Sequence, residues 1–371
     1  MSSLPSQKRK LFTILCVCCM LVPLLYAVAS ALRASAPAPV ERTVALMAPE
    51  TLPVRPSAQP AETAKSAAPA QTRPSQVERV LFYRNTAMGD SYGKLAVSSL
   101  DALDRPVYSR DLDCDRVYFA AGHGVCLTSD RGVFTTYSAV LFDARLRAGR
   151  TLPLNGTPSR VRVSSSGRLA SITVFLTGQS YAALNLSTQT TIVDLVRGEV
   201  LIPDLETLSV WRDGAVFRHP DFNFWGVTFA RDENRFYATL WSQGTAYLIE
   251  GDLGKRTARV IHQGVECPSL SPDNTRVAYK KRFGSSANDW RIHLLELKTM
   301  TDRALGETRS VDDQMEWLDD EHILYAMSDA ENGSSASTDL WQLSTSPEDR
   351  PRLFMRGAFS PAVAPAQQSV R

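Results

Sequence analysis

Few side chains in this 371-residue sequence have the types and spacing that support catalysis or metal binding. No two histidines stand at the spacing of a zinc site, and no Gly-x-Ser-x-Gly motif provides a nucleophilic serine. The five histidines are His123, His219, His262, His293 and His322. The sequence therefore predicts no catalytic residue, no metal ligand and no cofactor.

A glycine-containing stretch, GDLGKRT at residues 251–257, has a partial likeness to a phosphate-binding loop. Its two glycines are closer together than in that motif, and no helical pattern follows the lysine. We therefore interpret the stretch as a hairpin turn between two strands.

Two regions are candidate binding loops. His219 and Asp221 lie in FRHPDFNFW, within a segment that interrupts the repeats described below, and could form a polar site. Trp290 follows the run GSSAND, so it could lie on an exposed loop and stack on a sugar or a peptide. In both regions the competing interpretation is packing within the protein, since bulky aromatic side chains are usually buried.

Of the six cysteines, three lie in an apolar N-terminal run and three in the body of the chain. Cys114 and Cys126 bracket a predicted hairpin, DRVYFAAGHGV, whose pairing would bring them together at its open end. They form either a disulfide, which an extracytoplasmic location permits, or two buried thiols. Cys267 is expected to remain unpaired and buried.

The beginning of the chain has the pattern of a membrane segment. A basic cluster at residues 8–10 precedes about 20 apolar residues, which is long enough to cross a bilayer. Because such a cluster stays in the cytoplasm, the rest of the chain is expected outside. We predict a cytoplasmic segment over residues 1–10 and an uncleaved single-pass signal anchor over residues 11–32. A cleaved and secreted form is the alternative, because Ala34-Ser35-Ala36 is similar to a cleavage site.

Residues 33–76 are rich in Pro, Ala, Ser and Thr and have no apolar periodicity. Such a segment buries too little apolar surface to offset the entropy of ordering, so we expect a disordered linker. The folded body is predicted over residues 77–365, followed by a disordered tail at 366–371. Its hydrophobic content, 44% over the whole chain, is ordinary for a protein with a core.

Four short stretches of the body share one pattern, in which a polar tetrad precedes an alternating apolar run. They are VSSSGRLAS (163–171), ARDENRFYA (230–238), SPDNTRVAY (271–279) and LDDEHILYA (318–326). Proline fixes one backbone angle, and Asp, Asn and Ser bond to nearby backbone, so each tetrad predicts a hairpin turn. The equivalent turn positions are assigned to Ser165, Asp232, Asp273 and Asp319.

The last three turn positions are separated by 41 and 46 residues. A repeat of this length that holds several short strands is typical of a β-propeller blade. No amphipathic helix of ten or more residues follows the anchor, which excludes α/β folds. The predicted fold is therefore all-β, a six-bladed β-propeller with blades that begin near Val80, Arg116, Arg160, Trp225, Pro268 and Met315.

Seven blades are the alternative, because residues 160–224 could hold two short blades instead of one blade with an insertion near 207–223. The segment from Met355 to Val363 looks like a repeat start with nothing after it, and the first blade lacks its own approach strand. These two gaps predict that the ends of the chain pair and close the ring, which hides the sheet edges.

The sequences Ser271-Pro272-Asp273-Asn274 and Val277-Ala278-Tyr279 resemble the WD40-like repeat of TolB-type periplasmic proteins. That repeat has Ser-Pro-Asp-Gly before an Ile/Val-Ala-Phe/Tyr strand, so Asn274 replaces its glycine. The resemblance covers about residues 79–365 and implies a membrane-anchored bacterial form of the TolB-like propeller. TolB itself has an N-terminal α/β domain, where this chain has the linker.

The balance of 41 Lys and Arg against 39 Asp and Glu argues against a nucleic-acid partner. We expect a monomeric, non-enzymatic module that binds envelope or secreted proteins, or another ligand, outside the membrane. The alternative is an extracytoplasmic hydrolase or lyase with its site in the central channel. Charged or histidine side chains from three or more blades on the channel axis would favour the enzyme, and apolar or small residues would favour the binding module.

Overall fold

The structure is a computed structural model of the chain, and it describes residues 78–177, 181, 186–284, 288–328 and 337–365. The expected cytoplasmic segment, anchor, linker and tail lie outside the described residues. Within the described ranges, we find no helix with the length and apolar character needed to cross a membrane. These ranges contain 26 strands and one single-turn 3-10 helix, Leu205–Thr207.

In the first half of the chain the strands are β1 Arg79–Asn85, β2 Lys94–Ser99, β3 Ala102–Asp113, β4 Arg116–Ala120, β5 His123–Arg131, β6 Thr135–Asp143, β7 Ala148–Leu154, β8 Thr157–Val163, β9 Leu169–Thr177, β10 Ser187–Asp194, β11 Glu199–Ile202, β12 Ser209–Arg212 and β13 Ala215–Phe217. In the second half they are β14 Asn223–Phe229, β15 Arg235–Ser242, β16 Thr245–Asp252, β17 Thr257–Gln263, β18 Glu266–Leu270, β19 Arg276–Arg282, β20 Trp290–Glu296, β21 Thr301–Ala304, β22 Glu316–Trp317, β23 His322–Ser328, β24 Thr338–Ser344, β25 Arg352–Met355 and β26 Ala358–Pro365.

These strands form six sheets, antiparallel except for one parallel pair in blade 4, which are the six blades of a β-propeller. From the inner strand outward, blade 1 is β26-β1-β2-β3, blade 2 is β4 to β7, and blade 3 is β8 to β11. Blade 4 is β14-β15-β16-β17-β12-β13, blade 5 is β18 to β21, and blade 6 is β22 to β25. The prediction of six blades is confirmed, and the seven-bladed alternative is wrong.

The insertion explains why the long stretch before residue 224 is not a seventh blade. Strand β12 pairs parallel to β17, with Ser209 opposite Thr257, and β13 pairs antiparallel to β12. The inserted segment therefore widens blade 4 at its outer edge to six strands. Its two short strands bury too little surface to form a separate blade.

The two ends of the chain close the ring within blade 1, as predicted. Strand β26 pairs antiparallel with β1, so that Val80 lies opposite Ala364 and Leu81 opposite Val363. The chain end thus supplies the inner strand that the first blade lacks. Closure covers the edge of β1, which would otherwise be free to pair with another chain.

The tetrads form the turns between the first and second strands of blades 3 to 6. Asp232 accepts hydrogen bonds from Asn234 N at 3.0 Å and Arg235 N at 2.7 Å, and Asp273 accepts one from Thr275 N at 3.1 Å. Asp319 accepts a hydrogen bond from Glu321 N at 2.8 Å. Each carboxylate therefore stabilises its turn through the backbone two residues further along.

In blade 3 the equivalent residue is Ser166, and the assignment of Ser165 is one residue off. The hydroxyl of Ser166 accepts a hydrogen bond from Arg168 N at 3.1 Å, the same spacing as in the Asp turns. The backbone bond from Gly167 N to Ser164 O fixes this register, because Asn274 N and Ser271 O make the matching bond in blade 5.

Three inner strands contain a residue with left-handed backbone at a β-bulge. Gly226 has φ 64°, Cys267 has φ 50° and Ser360 has φ 55°. At each of them the pairing with the neighbouring strand shifts register. A bulge adds one residue to its strand and thereby changes the face to which the following side chains point. Here it helps to set which residues of the inner strands face the channel.

The core lies between adjacent blades, where large side chains fill the wedge-shaped space. Phe82 of blade 1 stacks on Phe119 of blade 2, with ring centroids 4.0 Å apart. Tyr279, Trp317 and Tyr325 belong to one buried cluster that joins blades 4, 5 and 6. The inner strand β14 is buried along its whole length, since it faces neighbouring blades on both sides.

Candidate functional site

The central channel is lined by charged side chains from several blades. Arg160 and Arg162 stand two residues apart on β8 and therefore point to the same face of the strand. Arg116 begins β4 of blade 2. Three carboxylates come from the segment that leads into β22 of blade 6, namely Asp312, Asp313 and Glu316.

Within the channel two buried side chains and one partly buried tyrosine form a polar cluster, which we call the channel lock: Arg162, Glu316 and Tyr118. Arg162 forms an ion pair with Glu316, and the two side chains are 7% and 6% exposed. The Tyr118 hydroxyl donates to Glu316 Oε2 at 2.9 Å and accepts from Arg162 Nη1 at 2.9 Å. Blades 2, 3 and 6 are thus joined across the channel axis.

The channel lock has further bonds that hold its geometry. Arg162 Nη2 donates to Met315 O at 2.8 Å, and Val363 N donates to Glu316 Oε1 at 3.1 Å. Burial raises the pKa of Glu316 above its ordinary value, while the charge of Arg162 opposes that rise. Burial also raises the pKa of the Tyr118 hydroxyl.

A second group, which we call the inner charge cluster, lies beyond the lock and consists of Arg116, Arg160, Lys280, Asp312 and Asp313. Asp312 pairs with Arg160 at 3.3 Å and also with Lys280. Burial raises the pKa of Asp312, but the charges of Lys280 and Arg160 outweigh it and lower that pKa to about 2. Asp312 is therefore ionised throughout the physiological range.

Lys280 is fully buried, and aromatic rings cover its ammonium group. Its Nζ lies 4.7 Å from the ring centroid of Tyr181 and 4.2 Å from that of Trp290. Cation–π contacts of this kind partly replace the hydration that a buried ammonium loses.

Gln314 lies beside Arg116 and Arg160 and bonds to two other blades. Its Nε2 donates to Pro268 O at 2.8 Å and to Val227 O at 3.1 Å, so it spans blades 6, 5 and 4.

On the side of the tetrad turns the channel opens into a cavity of about 430 Å³, which we call the funnel. Its floor is the channel lock, and its wall is mainly apolar, with Phe229, Leu270, Trp317 and Val363. Ser165, Arg231 and Asn274 of the tetrad turns lie at its rim. A cavity of this size with a few polar groups at its base has the dimensions of a ligand site.

The predicted binding-loop residues His219 and Asp221 contact each other but do not line the funnel. His219 Nδ1 lies 2.5 Å from Asp221 Oδ1. Asp221 also accepts hydrogen bonds from Ser242 Oγ at 2.6 Å and Gln243 N at 2.7 Å, so it caps the turn between β15 and β16. These bonds give the pair a structural role, and ligand binding by it stays a prediction.

Trp290 lies at the start of β20 and is 2% exposed, so it is not on the exposed loop that the sequence suggested. Its Nε1 donates to Glu266 Oε1 at 3.2 Å, and its ring packs beside Lys280 and Arg282. The strand begins at the tryptophan itself. A stacking role for this side chain stays untested.

Cys114 and Cys126 form a disulfide in the structure, with their Cα atoms 5.3 Å apart. Both lie in the core that joins blades 1 and 2. Cys267 is a buried free thiol on the inner strand of blade 5, and burial raises its pKa. Among the described residues no cluster of three His, Cys, Asp or Glu side chains forms a metal site.

The charged residues of the channel are the part of the site that the sequence analysis did not identify. Two signals were available: arginines at alternating positions in SRVRV, and three carboxylates in VDDQMEW, both at predicted blade starts. A charged side chain on an inner strand points into the channel and loses most of its hydration, so it needs an oppositely charged partner on another blade.

Comparison with known proteins places this architecture among β-propellers. No protein-family model matches the sequence, and no curated protein matches it in sequence. TolB from Acinetobacter baumannii is 17% identical, with a TM-score of 0.51 over 78% of this chain and 67% of TolB. A nidogen/laminin complex is 11% identical, with a TM-score of 0.47 over 78% of this chain and 99% of the other. A puromycin-hydrolysing peptidase from Mycobacterium tuberculosis is 12% identical, with a TM-score of 0.46 over 77% of this chain and 44% of the peptidase.

The likeness to TolB confirms the TolB-like β-propeller fold that the repeat resemblance implied. At 17% identity this likeness shows the fold alone.

Proposed function

We propose that the propeller is a binding module and that its ligand enters the funnel on the side of the tetrad turns. The observation that carries the proposal is a cavity of about 430 Å³ with a mainly apolar wall and a hydrogen-bonded polar floor. Ligand sites in proteins commonly have this combination of size and lining.

The chemistry of the funnel favours an apolar group with one polar end. Phe229, Leu270 and Trp317 offer apolar surface to the body of such a group. At the floor the charge of Arg162 is paired with that of Glu316, so the floor offers hydrogen bonds rather than a net charge. An apolar side chain of a partner protein, or a small molecule of similar polarity, fits this description.

The location that we propose is the outer side of a cytoplasmic membrane, with the propeller held as a monomer by residues 11–32 and the linker. The Cys114–Cys126 disulfide supports this, because such bonds persist in oxidising compartments. The linker would raise the effective concentration of the module near envelope or secreted partners.

The binding proposal is tested by placing a photo-crosslinking amino acid at Ser165, on the rim of the funnel, in the full chain in its native cells. Ser165 is exposed, and no hydrogen bond of its side chain is found among the described residues. The matched control is Ser346, an exposed serine in the turn between β24 and β25. We expect one defined adduct from position 165 that mass spectrometry identifies.

A crosslink of equal yield and identity from both positions would show that the funnel has no special affinity. The variant Ser165→Trp places an indole at the rim and should weaken binding of the identified ligand, whereas Ser346→Trp should not. Equal binding by the two variants would contradict the proposal.

The proposed location has its own test, which is independent of the ligand. Alkylation of the full chain in intact cells, before and after reduction, should show Cys114 and Cys126 protected until reductant is added. If both cysteines react with the alkylating agent after denaturation without any reductant, they are free thiols, and the propeller lies in a reducing compartment.

A second candidate function is hydrolysis or elimination at the floor of the funnel. Charged groups from blades 2, 3 and 6 converge on the axis, which is the arrangement expected for the enzyme alternative, and burial raises the pKa of Glu316, which is a property of general acids. We place the binding module first because these charges are paired with one another and the wall of the funnel is mainly apolar. A purified full chain assayed against esters, lactones, glycosides and peptides tests this. Turnover that Glu316→Gln and Tyr118→Phe both abolish would favour the enzyme over the binding module.

A further inference from the structure

Arg116 is a buried arginine in the channel, and its guanidinium is poorly matched by protein groups. Its side chain is 16% exposed and packs over the Phe359 ring, with the guanidinium carbon 4.1 Å from the ring centroid. The carboxylate oxygen paired with it, Asp313 Oδ1, is 3.6 Å away, beyond a hydrogen bond. Among the described residues this guanidinium makes no hydrogen bond.

The inner charge cluster has more positive than negative groups. Arg116, Arg160 and Lys280 face two carboxylates, and Asp312 is already shared between Arg160 and Lys280. The other carboxylate, Asp313, also accepts a hydrogen bond from Ala326 N at 2.9 Å. One positive charge is therefore left without a matching carboxylate.

The other titratable groups nearby do not supply the missing negative charge. Burial raises the pKa values of the Tyr181 hydroxyl and the Cys267 thiol, so both are neutral near pH 7. Glu266 is paired with Arg282 at 2.7 Å, and Glu316 is paired with Arg162. Each of these pairs is neutral by itself.

A small cavity of about 20 Å³ lies beside Arg116, within the channel. Arg160, Asp313, Gln314 and Ser360 also line it. Arg160 is 6% exposed, and its Nε has no hydrogen-bond partner within the described ranges. A cavity of this volume has room for one particle of the size of a water molecule.

We propose that this cavity beside Arg116 and Arg160 binds a monovalent anion of halide size, chloride in particular. The excess positive charge selects an anion over water, because an uncompensated charge in a buried site is costly. The volume excludes oxyanions such as phosphate and sulfate. The anion neutralises the inner charge cluster, which joins blades 2, 3, 5 and 6, and chloride thereby stabilises the closed ring.

The protonation behaviour of Arg116 is consistent with such a site. Burial, followed by the like charge of Arg160, lowers the pKa of Arg116 to about 10. An anion in contact with both guanidinium groups would offset the repulsion from Arg160 and raise the pKa of Arg116 again. The cavity shares Tyr118 and Arg162 with the floor of the funnel, but Arg116 and Arg160 do not line the funnel. The test of the anion site, which varies Arg116, therefore does not depend on the proposed binding function.

The first experiment measures thermal unfolding of the full chain in detergent while chloride replaces isethionate at constant ionic strength. We expect Tm to rise by about 2–4 °C for each tenfold increase in chloride above half-saturation, because a ligand of the folded state shifts the equilibrium by mass action. Bromide should act in the same way, and sulfate should not. A Tm that is independent of the halide would overturn the proposal.

The second experiment locates the ion. Crystals soaked in bromide should give an anomalous peak between Arg116 and Arg160, and Arg116→Met should remove both the peak and the halide dependence of Tm. Arg259→Met, at an arginine that is 64% exposed, is the matched control and should keep the halide dependence. If Arg116→Met does not fold, the wild-type crystals decide: an ordered water in the cavity, with no anomalous signal, would sink the proposal.

Discussion

Arg162 and Glu316 lie on opposite blades of the ring, and their side chains form an ion pair across the channel axis. Blade 3 supplies the arginine from its inner strand, and blade 6 supplies the glutamate from the start of its own. Tyr118 of blade 2 bonds to both partners, so the pair is fixed on a third side. The contact therefore reports directly on whether the six blades are correctly assembled.

Removing Arg162 should be strongly destabilising. Arg162→Met leaves Glu316 buried without its partner, and such a change costs about 3–5 kcal/mol of unfolding free energy. The double variant Arg162→Met/Glu316→Leu should recover most of this loss, because two apolar side chains replace the pair. Urea unfolding followed by tryptophan fluorescence measures both.

The control for this cycle is Arg147→Met, which breaks a surface pair with Asp143 whose side chains are 66% and 39% exposed. It should change the unfolding free energy by less than about 1 kcal/mol. If Arg162→Met is equally mild, the cross-channel pair contributes little, and the lock is not a structural element.

The closing strand β26 should be essential for cooperative unfolding. Deletion of residues 358–371 leaves Val80 and Phe82 on an open strand edge and removes the contacts that β26 makes with blade 6. We expect a chain that is sensitive to protease or that aggregates, because exposed strand edges pair with other chains. Deletion of residues 366–371 alone keeps β26 and should have no effect. Limited proteolysis compares the two, and equal resistance would mean that the ring does not need this strand.

Gly226 should tolerate no side chain. Its backbone φ is 64°, and an added Cβ would lie 2.6 Å from the Cα of Cys267 on the next blade. Gly226→Ala should therefore cost at least about 3 kcal/mol, from left-handed backbone and from overlap.

The matched control is Gly214→Ala, at φ 80°, where an added Cβ meets no atom within 4 Å. There only the backbone cost of about 1–2 kcal/mol applies. Chemical denaturation of both variants separates the two effects, and equal losses would show that blades 4 and 5 are less closely packed than described.

Asp302 should make folding sensitive to acid. Burial raises its pKa, but hydrogen bonds from Lys281 and His293 outweigh it and lower the pKa to about 2. Because the pKa is lower in the folded state than its ordinary value of 3.8, the stabilisation is present above about pH 4 and is lost as the pH falls towards 2.

Asp302→Asn should accordingly lose about 2 kcal/mol at pH 7, and its difference from the wild type should shrink between pH 4 and pH 2. Asp213→Asn, at an aspartate whose side chain is 94% exposed, should differ from the wild type equally at all pH values. Urea unfolding at several pH values measures this. A difference for Asp302→Asn that does not change with pH would contradict the assignment.

Several features of the fold could be predicted from the sequence because they depend on neighbouring residues. The turn at Asp273 is one example, since a side chain that bonds to backbone two residues away needs no distant partner. Blade 3 shows the limit of such local patterns. With serines at three consecutive positions, the capping residue was assigned to Ser165, and backbone pairing shows that it is Ser166.

The sequence by itself determined the repeat and the pairing of the two ends of the propeller, because short-range turn chemistry and alternating strands impose them. It favoured six blades, and the structure excluded seven by pairing the inserted strands with the outer edge of blade 4. Only the tertiary structure decided what the channel contains. Arg162 and Glu316 are 154 positions apart, and no local pattern tells which cation meets which carboxylate. Ring closure brings them together, because each lies on an inner strand that faces the axis. Both side chains are buried there, so each needs the other as its partner.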